Sequence, residues 1–252
     1  MTKRRSSLRV LLLQMRMDRN MLSAERQGFL KFSGLEDHQL ESLDLFRQPE
    51  FSPELIHAYD AVFIGGISDD PSQSLQLPPA QFPFINNLKA MIRLILECKK
   101  PAFLSCGGFM IASRLMGARV VIDPEMQEMG IYDIKLTKEG KADPIFRGFP
   151  PSFKAVSGHQ KSTLEAPAGC SRLAFSDRCP VQAFRHNSFL FYAFQFHPEI
   201  ETRALKSRVE AYREKYFDSR EAYEAFINLM DDTTLANTLL SRFVELMVGE
   251  AP

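Results

Sequence analysis

At 252 residues, 45% hydrophobic and 25% charged, the chain fits one α/β domain with a sizeable core, or such a domain with a helical extension, and leaves no room for a second full domain. Its 31 Lys and Arg balance 31 Asp and Glu for a formal net charge of +0, so no basic field exists to hold nucleic acid or an anionic membrane, and a small-molecule substrate fits better. The four cysteines, Cys98, Cys106, Cys170 and Cys179, lack the close pairs of a zinc site, so no metal is expected, and a chain of this size needs no disulfides; the expected compartment is a reducing cytoplasm.

The N-terminal MTKRRSSLRVLLLQMRM sets basic residues before leucines, but the apolar stretch Val10 to Leu13 is too short for a signal-peptide core and is hemmed in by Arg9, Gln14 and Arg16. It reads as a first buried strand over 8–13 behind a solvated tail, and no run approaches membrane-spanning length. Helical character over 21–32 follows, then a strand near 40–46 and a third over 61–64 that runs into Gly65-Gly66. Residues 68–83, SDDPSQSLQLPPAQFP, read as a mobile, exposed loop. Over 84–98 Leu88, Met91, Ile92 and Ile95 recur at three- and four-residue steps, an amphipathic helix ended by Lys99, Lys100 and Pro101. AFLS (102–105) is then a central strand and GFMIASRLMGA a helix closed by Gly117, with Cys106 at the join.

Between 120 and 196 come short strand-like runs (VVI, YDIKL, FKAVS, RLAF, PVQAF, FLFYAFQF) with turns at Glu139-Gly140 and Ala168-Gly169. Short apolar runs alternating with helical stretches predict an α/β fold, a mostly parallel sheet covered by helices. After Glu199 three stretches have helical period. Their apolar stripes (Leu205, Val209, Tyr212; Tyr223, Phe226, Ile227; Leu235, Leu239, Phe243) fit packing on their own domain, with the seam of a homodimer as the less favoured alternative.

In FQFHPEI, His197 ends a strand and Pro198 biases its backbone away from the α region, so His197 and Glu199 are presented from an extended or turning segment. That spacing lets the carboxylate hold one imidazole nitrogen while the other faces a nucleophile. Alone, each signal is weak, since unpaired cysteines are mostly small buried hydrophobes and a histidine near a glutamate is common. Together they fall at the carboxyl ends of predicted strands, where open parallel sheets bind ligands. Gly65 and Gly66 end another strand, where amides can approach a substrate without an intervening Cβ, and Gly107 offers an amide at a helix start; the alternative is that these glycines only make tight turns.

PAFLSCGG followed by QFHPE resembles the class I glutamine amidotransferases, with their G-x-C-x-G nucleophile elbow and terminal Q-F-H-P-E, and IGGISDD resembles their oxyanion glycine loop. EMGIYDIKLTKEGKADPIFRGFP, VSGHQKSTLEAPAGCSRLAFSDRCPVQAFR and the helical tail are similar to the stand-alone, GMP-synthase-like members, so the resemblance runs from Leu8 to the last helix. It implies a flavodoxin-like open twisted sheet, a catalytic domain over 1–200 and a helical extension over 201–252 packed on it. It implies Cys106 as nucleophile, His197 as general base and acid, Glu199 as its orienter, and an oxyanion hole from the amides of Gly66 and Gly107. Gly158 and His159 would line the glutamine pocket with Met110; for His159 a structural role is the alternative. The implied reaction is hydrolysis of a carbon–nitrogen amide bond through a γ-glutamyl thioester, with ammonia released and no cofactor.

Two positions depart from the family pattern. Leu104 stands at the first glycine of the elbow, so the elbow is either built without it or distorted. Met110 stands where relatives often carry a substrate-holding glutamine, and it makes only a weak acceptor, which leaves another γ-glutamyl compound as an alternative substrate. The ATP-binding signature G-x-x-x-x-G-K-[ST] is absent, so ammonia-consuming chemistry is expected on a separate synthetase subunit, if there is any. A third reading is a non-catalytic amidotransferase fold that binds a metabolite or a partner protein.

Overall fold

Residues 10–15, VLLLQM, are buried at every position and form strand β1 (Val10–Met15). Burial on both faces is what a central parallel strand requires. Val10 and Leu12 join Phe29 and Phe63 on one side of the sheet, while Leu11 and Leu13 join Leu88 and Ile92 on the other. The computed structural model describes residues 4–67, 75–202, 219–221, 223 and 233–249. Helix α1 (Arg19–Ser33) follows β1; the Asp18 side chain caps it by accepting from the Met21 amide, and Gly34 ends it at φ 64°.

The parallel half of the sheet continues with β2 (Leu40–Asp44), β3 (Ala61–Ile67) and, after helix α2 (Ile85–Cys98), β4 (Ala102–Ser105), which leads into helix α3 (Gly107–Leu115). The smaller strands and one short helix come next: β5 (Val120–Ile122), β6 (Glu128–Leu136), α4 (Lys138–Ala142), β7 (Ser152–His159), β8 (Lys161–Thr163), β9 (Cys170–Phe175), β10 (Ala183–His186) and β11 (Phe191–Phe194). Helix α5 (Thr234–Val248) is the last described element.

Nine strands form one sheet in the order β2-β1-β3-β4-β11-β10-β9-β6-β7, and β5 pairs with β8. The run from β2 to β11 is parallel, and β10, β9, β6 and β7 extend it as antiparallel strands. The parallel run has the doubly wound order expected of a flavodoxin-like sheet, and its carboxyl ends form the edge where such sheets bind ligands.

α2 and α3 cover one face, their Leu88, Met91, Ile92, Ile95 and Phe109 packed on Leu11, Leu13, Val62, Ile64 and Leu104. α1 and α5 cover the other, where phenylalanines take the place of the absent tryptophan. Phe243 of α5 stands edge-on to Phe63 and Phe103 at centroid distances of 5.9 and 5.5 Å, and Phe29 stacks on Phe63 at 5.6 Å. Asn237 of α5 donates to the carbonyls of Pro198 (2.7 Å) and Ile200 (3.0 Å), tying this helix to the segment just after His197.

Leu239 and Phe243 are therefore buried, whereas Leu235 is 40% exposed. The stripe positions Leu205, Val209, Tyr212, Phe226 and Ile227 lie outside the described residues. The segment 68–83, expected as an exposed loop, differs in its second half: Leu77 and Phe82 are 6% and 2% exposed and join the core between sheet and α2. Its first half lies outside the described residues. Among the described residues no helix is long and apolar enough to cross a membrane.

Candidate active site

β4 ends at Ser105, and the chain turns sharply at Cys106, whose φ of 45° and ψ of −96° lie where non-glycine residues rarely go. The Cys106 amide donates to the Phe194 carbonyl of β11 at 2.8 Å, and its own carbonyl accepts from the Met110 amide at 2.9 Å as the first helical bond of α3. The turn thus holds the thiol over the carboxyl edge of the sheet, at the N-terminus of α3, where free N–H groups favour negative charge. Leu104 is fully buried in the core under α2 and α3, so the elbow forms without a glycine there. The two glycines after the cysteine serve a close approach: a Cβ at Gly107 would collide with the Ile67 amide, and one at Gly108 with the Ile64 carbonyl.

His197 follows β11 and is anchored by donation from its amide to Val156 of β7 at 2.8 Å. Its Nδ1 lies 2.6 Å from Oε1 of Glu199, and the two side chains are 7% and 0% exposed. Burial works to keep this imidazole neutral, but the Glu199 carboxylate and the Cys106 sulfur beside it push its pKa up to about 10. Burial likewise works to raise the Glu199 pKa, and the His197 charge overcomes it, so the carboxyl is held below the usual range. The Cys106 sulfur stands near enough to His197 to act on its charge, and it lies 3.8 Å from the Gly158 carbonyl. Cysteine, histidine and glutamate are thus neighbours at the carboxyl edge of the sheet. α1 packs so tightly on this segment that a Cβ at Gly28 would collide with the Glu199 carbonyl oxygen.

Of the two amides expected in an oxyanion hole, Gly107 opens α3. Gly66 differs from that expectation: its N–H donates to Oε1 of Glu25 at 3.1 Å. Glu25, on the sheet-facing side of α1, also accepts from Nε of Arg16 at 2.8 Å and from Nε2 of Gln14 at 3.2 Å. Arg16 in turn donates from Nη1 to the Ile67 carbonyl at 3.2 Å. A Cβ at Gly66 would collide with Nη2 of Arg16 and press on His197, so this glycine is required for the guanidinium to sit beside the imidazole. Sequence reasoning treated Gln14 and Arg16 as polar flanks of a strand and passed over Glu25. The signal was a charge on the face of α1 that also carries Gly28 and Phe29.

Gly158 borders the thiol, its carbonyl 3.8 Å from Sγ of Cys106, and a Cβ there would make ordinary contact with Nε2 of His197 and Sδ of Met129, both at 3.9 Å. His159 is held in a buried polar cluster, with Nε2 3.1 Å from Oε2 of Glu128, and the same carboxylate accepts from Ser176 and from Gln182. Burial works to raise the Glu128 pKa, but hydrogen bonds from His159 and Ser176 hold it lowered. Met110 is 4% exposed and lines a cavity of about 210 Å³ between α2 and α3 together with Leu77 and Arg114; Cys106 and His197 are not part of that lining. Among the described residues no group of three or more His, Cys, Asp or Glu could hold a metal ion.

The family described as "Glutamine amidotransferase class-I" matches residues 39–212, well over half of the chain. Curated relatives include a subunit of the glutamine-hydrolyzing GMP synthase of Thermococcus kodakarensis, 32% identical over 45% of this chain and 58% of its own length. The protein of the same name from Ignicoccus hospitalis is 32% identical over 49% of this chain and 61% of its own. The chain therefore spans about six tenths of the length of these relatives. Among solved structures, a glutamine amidotransferase from Thermotoga maritima superposes with a TM-score of 0.71 at 22% identity, covering 96% of this chain and 98% of that one. One from Methylobacillus flagellatus gives 0.70 at 18% identity, covering 96% and 92%. At those identities the two structures are likenesses of fold.

Proposed function

The chain belongs to the class-I glutamine amidotransferases, and from that premise we propose that it hydrolyses the side-chain amide of glutamine with Cys106 as nucleophile. The observation that carries the reading is the strained turn that holds Cys106 against the buried His197–Glu199 pair. The sulfur attacks the amide carbon, and the carbonyl oxygen takes up the negative charge. The amide of Gly107 donates to that oxyanion; the Gly66 amide joins it only on leaving Glu25. His197, held protonated by Glu199, gives its proton to the departing nitrogen, the carbon–nitrogen bond breaks and ammonia leaves. The resulting thioester is cleaved by water, whose proton His197 takes, yielding glutamate and the free thiol.

Glu199 fixes the imidazole through Nδ1, which leaves Nε2, beside Gly158, to serve the sulfur and the leaving nitrogen. Gly158 lines the substrate side of the thiol, and His159 acts indirectly by holding the end of β7 through Glu128. In this reading residues 1–200 form the catalytic unit and 201–252 its extension. Relatives bear the name of one subunit of GMP synthase, which supports a separate synthetase as the recipient of the ammonia.

Met110 favours a second reading, the same triad acting on another γ-glutamyl compound, because the position where relatives often carry a substrate-holding glutamine offers here only a weak acceptor, buried and turned to a cavity that Cys106 and His197 do not line. Purified protein given glutamine and γ-glutamyl peptides in competition, with glutamate and ammonia both measured, separates the two. Equal release of glutamate and ammonia from glutamine is expected. Glutamate from the peptides alone would transfer the activity to the second substrate class.

A further inference from the structure

A buried arginine and glutamate stand behind the glycine turn, and the catalytic cycle of Cys106, His197 and Glu199 does not use them. Their side chains are 9% and 1% exposed, and their ion pair is 2.8 Å long. Two charges withdrawn from water are costly unless their remaining hydrogen-bonding groups are occupied. Here they are spent on the site itself: Glu25 holds the Gly66 amide, Arg16 holds the Ile67 carbonyl, and the glycines are what admit both side chains. A Cβ at Gly65 would collide with the Glu25 carboxylate, as one at Gly66 would with Arg16. An apolar pair would fill the same volume without fixing either end of the peptide, so the charges answer a need other than packing.

We propose that Arg16, tethered by Glu25, is an electrostatic positioning residue for Cys106: its guanidinium, fixed against the glycine turn, stabilises negative charge on the sulfur and on the adjoining acyl oxyanion. Glu25 plays two opposed parts, since it anchors the guanidinium but sets its own negative charge against the thiolate. The neighbouring charges fit this assignment. Burial works against the Arg16 charge, yet Glu25, the Cys106 sulfur and Glu199 together hold its pKa raised. Without Arg16, the Glu25 and Glu199 carboxylates would share the site with His197 as the one remaining cation near the sulfur among the described residues. Among the described residues, His159 and Glu128 also lie near the thiol, hydrogen-bonded to each other behind Gly158.

The inference rests on Cys106 being the reactive thiol of the proposed function, and it is tested without any glutamine. The rate of Cys106 alkylation by iodoacetamide, followed on the Cys106 peptide by mass spectrometry, is measured against pH in the full chain. Arg16→Met is expected to move the midpoint of that profile up by about 1 pH unit or more, with a matching loss of rate at neutral pH. Glu25→Gln, which keeps shape and hydrogen bonding, is expected to move it down. A residue needed only for folding would not produce opposite shifts. A folded variant whose profile fails to move in its stated direction overturns the proposal. Should Arg16→Met not fold, Glu25→Gln alone decides. Opposite shifts in a protein that leaves glutamine untouched would uphold this inference and sink the substrate assignment, so the two fail separately.

Discussion

Cys106→Ala is expected to lose glutamate release by about 10⁴-fold or more with its fold intact, and Cys106→Gly to be equally inactive but more stable than the alanine variant. The first effect follows from the chemistry, since alanine removes the only group able to form the thioester. The second follows from the backbone. A residue carrying a Cβ at φ 45° and ψ −96° is held in a sparsely populated conformation by its surroundings, among them the bond from its amide to Phe194 and the bond from Met110 to its carbonyl. Such conformations cost on the order of 1–3 kcal/mol. Alanine keeps that cost because it keeps the Cβ, whereas glycine removes it. Glycine also gains freedom in the unfolded chain, which offsets up to about 1 kcal/mol. Urea unfolding of the two variants should therefore leave glycine ahead by about 1 kcal/mol. A glycine variant less stable than alanine would mean that the elbow stores no strain.

Glu199→Gln is expected to lower turnover by roughly 10²-fold or more, short of the loss at Cys106, and to change how stability depends on pH. Glutamine can still accept from Nδ1 of His197 but brings no charge, so the imidazolium loses its main support. In the wild type the folded histidine binds its proton up to about pH 10, whereas the unfolded one releases it near 6.5. The contribution of His197 is thus complete below about pH 6.5 and is lost as pH rises through about 10. Glu199 runs the other way. Its pKa is lowered on folding, so its contribution is present above the ordinary carboxylate value and is lost as pH falls through its folded value. Thermal unfolding from pH 6 to pH 10 should show the wild type losing stability relative to Glu199→Gln. Parallel curves for the two proteins would remove the charged pair from the account.

Strands β1, β3 and β4 were legible because each is a short apolar run with a helix of clear period after it in the chain. Cys106, His197 and the glycine turn were legible for the same reason: each sits where such a run stops, and a parallel sheet gathers those stops on one edge. The polarity of β10, β9, β6 and β7 was not readable, since an apolar run between turns looks the same in either direction. Leu77 and Phe82 were hidden by the prolines, serines and glutamines around them, which read as loop although the two side chains reach the core.

Arg16 and Glu25 were hidden for a different reason. A charged residue at the end of an apolar strand usually marks where solvent begins, and one on a helix usually marks its outer face. Here both point inward because Gly28, Gly65 and Gly66 give up the volume that the Glu199 backbone, Glu25 and Arg16 occupy. That exchange is made between residues far apart in sequence, and its one local trace is a glutamate on the face of α1 that also carries Gly28 and Phe29. Its consequence is plain at the Gly66 amide: the glycine was read as an open donor, and the glutamate facing it across the sheet edge takes its hydrogen.

The central claim is that Cys106 attacks a γ-glutamyl amide carbonyl. Its most direct measurement is the mass of the protein after incubation at neutral pH with an electrophilic glutamine analogue, with the adduct located by peptide mapping. One equivalent on Cys106, lost in Cys106→Ala and prevented by excess glutamine, is the predicted result. Folded wild-type protein that gains no mass at Cys106, or gains it equally at Cys98, the exposed cysteine among the described residues, would contradict the account.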